Sequence, residues 1–284
     1  MPIDAARLLR RAFPEIRREY DARDTVVYAL AIGLGRNATG RDRCFVDRSC
    51  LVAFPTMAAS LGTPGFWMRD VTTGIDALRA LHVGQAVTLH RPLPAAAGIL
   101  ATHRVTSVVD KGAPRGALVV VRREIFDARS GATLATVDAQ TLCRADGGCG
   151  DAGEALPAPH RIPDRPPDAV RDVATFPDAA VLFALGGDDN PLHRDMETAQ
   201  RAGYDRPILH GVCTLGIAAT ALAEATIGND VARLRSVAAR FTGHVYPGET
   251  IRVELWRDAD TVSFRGSVVG RGSRVLDAGH ALIA

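Results

Sequence analysis

Five prolines crowd into residues 157–167, inside the segment Glu154–Arg171 (EALPAPHRIPDRPPDAVR). Proline fixes φ and biases the residue before it away from helix. No helix or central strand can pass through such a stretch, so it reads as an extended, exposed linker. With Gly147-Gly148-Cys149-Gly150 just ahead, it divides the chain into halves of about 145 and 115 residues. The expected organisation is an N-terminal half over 1–150, a linker over 151–172 and a C-terminal half over 173–284. Halves of this size gain from packing on each other.

Both halves carry strand signals, with period two clearest in the second. In Thr250–Trp256, Ile251, Val253 and Leu255 face one way while Arg252 and Glu254 face the other. Thr261–Val269 and Arg274–Ile283 read as two more strands. Val231–Thr242 reads as another, feeding the turn Tyr246-Pro247-Gly248-Glu249. Ahead of them Gly216–Ile227 is rich in Ala and Leu and stops at Gly228, the pattern of a buried helix with a glycine cap. The first half is similar: a helix over Asp24–Leu34 with Asp24 as its cap, then strands over Ala86–His90, Ile99–Asp110, Ala117–Asp127 and Thr133–Arg144. Arg36–Arg69 shows little periodicity and reads as loop with short strands. A helical segment followed by antiparallel strands, twice over, suggests a diverged duplication.

Composition narrows the function classes. Lys and Arg total 34 against 32 Asp and Glu, a net charge of +2, which argues for neither nucleic acid nor a polybasic membrane surface. No apolar run reaches the roughly 18 residues of a membrane span. The start lacks the apolar core of a secretory signal. The five cysteines show no CxxC pair and no zinc spacing with histidine, so they read as reduced thiols in a cytoplasmic protein. Among the basic residues only Lys111 is a lysine, and codon bias explains the scarcity.

One segment is dense in polar groups between apolar stretches: Leu185-Gly186-Gly187-Asp188-Asp189-Asn190-Pro191-Leu192-His193. A tight turn holding a carboxylate and an imidazole five residues apart can aim both at one point, as acid–base work on a water requires. Read singly, Asp188 or Asp189 could cap a helix, His193 could be an ordinary partly buried histidine, and His210 could satisfy a helix start.

The composite resembles the (R)-specific enoyl-CoA hydratases, the hydratase 2 branch of the MaoC-like dehydratases. The resemblance runs through Gly187–His193 and through Ala202-Gly203-Tyr204-Asp205-Arg206-Pro207-Ile208-Leu209-His210-Gly211. It continues in Arg240-Phe241-Thr242 and Val245-Tyr246-Pro247-Gly248. In the first half it takes in Tyr28-Ala29-Leu30, Phe54-Pro55-Thr56, Leu81-His82, His90-Arg91-Pro92-Leu93-Pro94 and Val109-Asp110-Lys111-Gly112. It implies an α+β double hot-dog, each half wrapping a curved sheet around one helix. The catalytic motif lies in the second half, and the first half accommodates the acyl chain.

By the same resemblance, Asp188 and His193 hold a water, Asn190 orients that water or the histidine, and the Gly211 N–H receives the thioester oxyanion. His82, Val83, Lys111 and Phe241 contact coenzyme A. The implied reaction is reversible addition of water to a trans-2-enoyl thioester. It needs no metal or redox cofactor, and coenzyme A enters only as part of the substrate. A homodimer of chains is compatible with the resemblance. Three departures stand out: Gly186 where the family has Ser, Asp189 where an aromatic is common, and His82-Val83-Gly84-Gln85 where the family has His-Gly-Glu-Gln. Two alternatives stay open. One is a sibling dehydratase acting on branched, dicarboxylic, steroid or acyl-carrier-protein thioesters. The other is a non-catalytic acyl-CoA binder.

Overall fold

A computed structural model describes residues 3–36 and 40–284. The first half contains α1 (Ala5–Leu9), β1 (Ile16–Tyr20), α2 (Ala22–Ala31), β2 (Ala80–Leu89), β3 (Ala97–Asp110), β4 (Ala117–Asp127), β5 (Thr133–Cys143) and the short β6 (Ala152–Gly153). The second half contains β7 (Ala169–Ala174), α3 (Ala179–Ala184), α4 (Met196–Arg201), α5 (Gly211–Ile227), β8 (Leu234–Phe241), β9 (Thr250–Asp258), β10 (Thr261–Val268) and β11 (Arg274–Ile283).

The strands form one antiparallel sheet in the order β1-β3-β4-β5-β2-β8-β11-β10-β9-β7, with β6 added to β3. Reading outward from the seam, each half follows one rule: second strand innermost, then fifth, fourth, third and first. The halves join where β2 meets β8, from Gly84 opposite Arg240 to Thr88 opposite Ser236. Sequence identity between the halves is weak, yet their topology is the same, which is the duplication expected above. This is the double hot-dog.

The alternation in β9 places Ile251, Val253 and Leu255 in the core. Helix α5 runs through the main core, and nearly every residue from Cys213 to Ala223 is buried. A Cβ on Gly216 would lie 2.6 Å from Ile32 Cγ2 and 3.1 Å from the Tyr28 hydroxyl. Close passage by α2 therefore explains a glycine that costs about 1 kcal/mol in a helix interior. Gly228 closes α5 in the left-handed region, φ 56°.

Four expectations need correction. The first half has no counterpart of α5 among the described residues. The ten-residue α2 packs on α3, and the 3₁₀ turn Pro55–Ser60 faces β2, β5 and α5. The Arg36–Arg69 stretch holds 3₁₀ turns rather than strands, because it lacks alternation; residues 37–39 lie outside the described ones. Asp21, not Asp24, caps α2. Asp24 is the third residue of the helix and closes a capping box by accepting from the Asp21 N–H. The stretch 151–172 is not all linker. Its start pairs with β3, and Ala169 begins β7 against β9.

Between those ends the chain is extended and largely exposed. It is pinned where the Trp256 indole donates to the Arg165 carbonyl at 2.7 Å. All five cysteines are free, with the Cys44 and Cys50 sulfurs 2.8 Å apart. No helix among the described residues is long and apolar enough to cross a membrane.

Candidate active site

The polar segment follows α3 directly. Gly186 and Gly187 close that helix with bonds to the Phe183 and Ala184 carbonyls, and Gly187 sits at φ 109°. Arg18, reaching over from β1, donates through Nη1 to the Gly186 carbonyl at 2.9 Å. The same Nη1 would lie 3.0 Å from a Cβ on Gly187, so a side chain there would nudge the arginine, and the positive φ is what favours glycine. Arg18 carries no sequence signal for this role, because it stands some 170 residues from the loop it holds.

Asp188 comes next. Its Oδ1 accepts from the Asn190 N–H at 3.3 Å. Asn190 Oδ1 accepts from the Leu192 N–H at 3.2 Å and caps the 3₁₀ turn Pro191–His193. The Asn190 carbonyl also accepts from the His193 N–H at 3.2 Å, so Asn190 bears on the histidine through the backbone.

His193 is fixed from both sides. Its Nδ1 lies 2.8 Å from the Ile208 carbonyl, which can only accept, so Nδ1 carries the proton and Nε2 keeps its lone pair. Its ring stacks on His210 at 3.7 Å and 29°. Burial holds His193 below the ordinary histidine range, against the pull of the Ile208 bond and of Asp188. The imidazole is therefore neutral at pH 7.

His210 is the other residue that sequence reading undervalued. It stands at the cap position of α5 but makes no capping bond. It is 1% exposed, wedged between Phe183 at 4.8 Å and His193, with both ring nitrogens unpartnered. Burial, helped by neighbouring His193, pushes it down to about 2. Its Nε2 lies 4.0 Å from Asp188 Oδ2. Its geometry makes it a packing plate behind His193 and Asp188.

Gly211 opens α5, so its N–H belongs to the unpaired first turn of a seventeen-residue helix. No hydrogen bond among the described residues claims it. A Cβ on Gly211 would sit 3.0 Å from Phe241 Cδ2. Phe241, the last residue of β8, meets His82 edge to face at 5.0 Å and 84°. His82 is tied to the Gly84 carbonyl at 3.0 Å and lies within electrostatic reach of Asp188. Val83 is the bulged residue between His82 and Gly84. The fold thus gathers Asp188, Asn190, His193, Gly211, Phe241 and His82 around the seam between the halves.

Lys111 is not in that cluster. It lies in the β3–β4 turn, where the Asp110 carboxylate accepts from the N–H groups of Gly112, Gly148 and Gly150 and locks the turn to the Gly147–Gly150 loop. Ala117 pairs with Cys143 and Cys143 with Ala80, so Lys111 shares His82's end of the sheet. At about 4.8 Å per strand it stands some 10–15 Å away. A surface hollow of about 260 Å³ lined by Arg17, Leu100, Phe126 and Gly131 shares no residue with this site.

Residues 18–145 match the MFE-2 hydratase 2 N-terminal domain, and residues 159–278 match the MaoC like domain. 3-Hydroxyacyl-thioester dehydratase Y of Mycobacterium tuberculosis is 37% identical over 89% of this chain and 87% of its own length. This chain belongs to the MaoC-like dehydratases, in the hydratase 2 branch. A probable enoyl-CoA hydratase 2 of Dictyostelium discoideum is 33% identical over 100% of this chain and 97% of that protein. The crystal structure of a MaoC-like dehydratase from Phytophthora capsici superposes with a TM-score of 0.87 at 30% identity, covering 98% of each chain. The hydratase 2 branch therefore accounts for both halves of the chain and their order.

Proposed function

We propose that this chain is an (R)-specific 2-enoyl-CoA hydratase, equivalently a 3-hydroxyacyl-CoA dehydratase. The observation that carries the reading is the fixed tautomer of His193. The ring that carries this Nε2 lone pair stacks on His210 at the open N-terminus of α5, and Asp188 Oδ2 lies 4.0 Å from Nε2 of that same His210. Two acceptors beside a free helix N–H can bind one water and one carbonyl oxygen.

In hydration the water donates to Asp188 and to His193 Nε2. As its oxygen bonds to C3, one proton passes to the pair, and the C2–C3 π electrons move toward the thioester. The developing oxyanion accepts the Gly211 N–H. A donor at such a position is worth about 3–4 kcal/mol in the transition state. The pair then returns a proton to C2, so one water is added and nothing is oxidised.

The thioester lies along Phe241 and His82, and Val83 lines the approach. Lys111 meets a coenzyme A phosphate as a point charge. Acyl-CoA is the one small-molecule partner this chemistry needs. The balanced charge suits neither nucleic acid nor an anionic membrane surface. Five free thiols suit a reducing compartment such as the cytoplasm.

The test is hydration of crotonyl-CoA and decenoyl-CoA, followed as loss of enoyl-thioester absorbance with chiral analysis of the product. Wild type should give the (3R)-hydroxyacyl product. Asp188→Asn and His193→Ala should each lose activity by about a thousandfold or more while keeping the wild-type circular dichroism. Near wild-type rates in both variants would refute the mechanism.

A further inference from the structure

The inner face of β4 should be apolar throughout. Val119, Val121, Arg123 and Ile125 all point inward and all are buried. Arg123 breaks the series, and it is only 6% exposed. On either side of it the packing divides. Val119 and Val121 belong to a small cluster under α1, whereas Ile125 belongs to the main core. Directly opposite on β3 stands His103, and opposed residues of an antiparallel pair share a face.

No carboxylate among the described residues pairs with this guanidinium. Its Nη2 donates to the carbonyls of Ala58 and Ala59 at 3.3 and 2.7 Å, and its Nε is buried without a partner. The next residue, Ser60, has a buried hydroxyl with no partner. His103 Nε2 donates to the Gly62 carbonyl at 2.9 Å, which leaves its Nδ1 buried and unpartnered. Burial and the charge of Arg123 push His103 down to about 4, so it is neutral.

Buried polar atoms are almost always bonded. Here three unbonded ones belong to residues that the bonds at Ala59 and Gly62 draw together around one buried cation. A simple cap for the Pro55–Ser60 turn would use Nη2 alone and would leave the rest unexplained. Arg123 on β4 is joined through β5 to β2, the strand that carries His82, and the Pro55–Ser60 turn that it caps packs on β2, β5 and α5. The polar group is therefore on the first-half side of the candidate site.

We propose that Arg123 and Ser60 bind a carboxylate carried on the acyl part of the thioester substrate. Arg123 offers its Nε–H and its charge, and Ser60 offers its hydroxyl. His103 contributes the one acceptor, which suits a water accompanying the anion. The inference rests on the hydratase reading, and it narrows the substrate class to acyl thioesters with a second, anionic end.

The experiment compares trans-2-enoyl-CoA thioesters of short, medium and long chain, each with and without a terminal carboxylate. For the length that fits, wild type should favour the carboxylated substrate by about tenfold or more in kcat/KM. In Arg123→Leu the ratio of the two kcat/KM values should fall by about a hundredfold, and Arg123→Lys should recover part of it. If Arg123→Leu does not fold, Ser60→Ala carries the test. Loss of preference by about tenfold supports the proposal, and an unchanged ratio overturns it. Equal loss on both substrates in Arg123→Leu would make Arg123 a cap only. Wild-type turnover of both substrates without preference overturns the carboxylate site and leaves the hydratase reading standing. Turnover of neither overturns both.

Discussion

Gly211 is the position where the smallest change should do the most harm. An alanine Cβ there would lie 3.0, 3.1 and 3.3 Å from Cδ2, Cε2 and Cγ of Phe241. Carbon atoms settle at about 3.5–4.0 Å, so ring or helix must give by roughly half an ångström. The ring cannot simply retreat, because it packs edge to face against His82, itself tied to Gly84. The helix cannot turn freely either, since Gly216 lies under Ile32 with no room for even a methyl group. Overpacking of this kind costs about 1–3 kcal/mol, which for a chain of this size lowers Tm by roughly 2–6 °C. Catalysis should suffer more. The displaced group is the proposed oxyanion donor, and misplacing it would cost about a hundredfold in kcat. We therefore expect Gly211→Ala to stay folded, with kcat for enoyl-CoA hydration down by about two orders of magnitude. Phe241→Leu in the same chain should return the lost Tm. A thermal melt and steady-state kinetics on the single and double variants measure both parts. A Gly211→Ala variant with kcat near wild type would refute the assignment of the oxyanion site.

Other expectations follow from neighbouring contacts. His210, held down to about 2, and His193, held below its ordinary value, are neutral in the fold, whereas the unfolded chain protonates both near pH 6.5. Their contribution to stability is therefore present above about pH 6.5 and is lost as pH falls, by up to about 1.4 kcal/mol per pH unit for each. His210→Phe removes one of the two, so its urea midpoint should fall less steeply on acidification; an unchanged slope would contradict this. Arg18→Met should free the Gly186–Asp188 turn and lower kcat by about tenfold, with KM little changed, as stopped-flow or steady-state rates can show. Lys111→Ala should raise KM for coenzyme A thioesters more than it lowers kcat, measured against a thioester truncated at pantetheine, which should not respond.

Much of the fold was legible because strands announce themselves locally. Alternation placed β9 and β10, and β-rich runs between turns placed β3, β4 and β11, within a few residues of their ends, while an alanine-rich run before Gly228 marked the buried helix. The candidate catalytic turn was legible for the same reason: Asp188, Asn190 and His193 are close in sequence, and the bonds of Asp188 and Asn190 are local. What escaped was long-range. The missing central helix of the first half leaves no pattern beyond an aperiodic stretch. Asp21 outcompeted Asp24 as a cap by a geometry that either aspartate could have supplied.

The amino-acid order alone determined the two halves, their strands, the polar turn and the family, since each depends on residues near one another along the chain. Only the tertiary structure decided how those parts meet. It brought Arg18 under the candidate catalytic turn, set Phe241 and His82 across the β2–β8 seam, and fixed the tautomer of His193 through a carbonyl fifteen residues away. It also placed Arg123, one basic residue among many in the sequence, in the core beside two other unpartnered polar groups. Burial and hydrogen-bond partners are properties of the packed chain. They turn an arginine, a histidine or a glycine from a composition count into a group with a charge state, a direction and a chemical role.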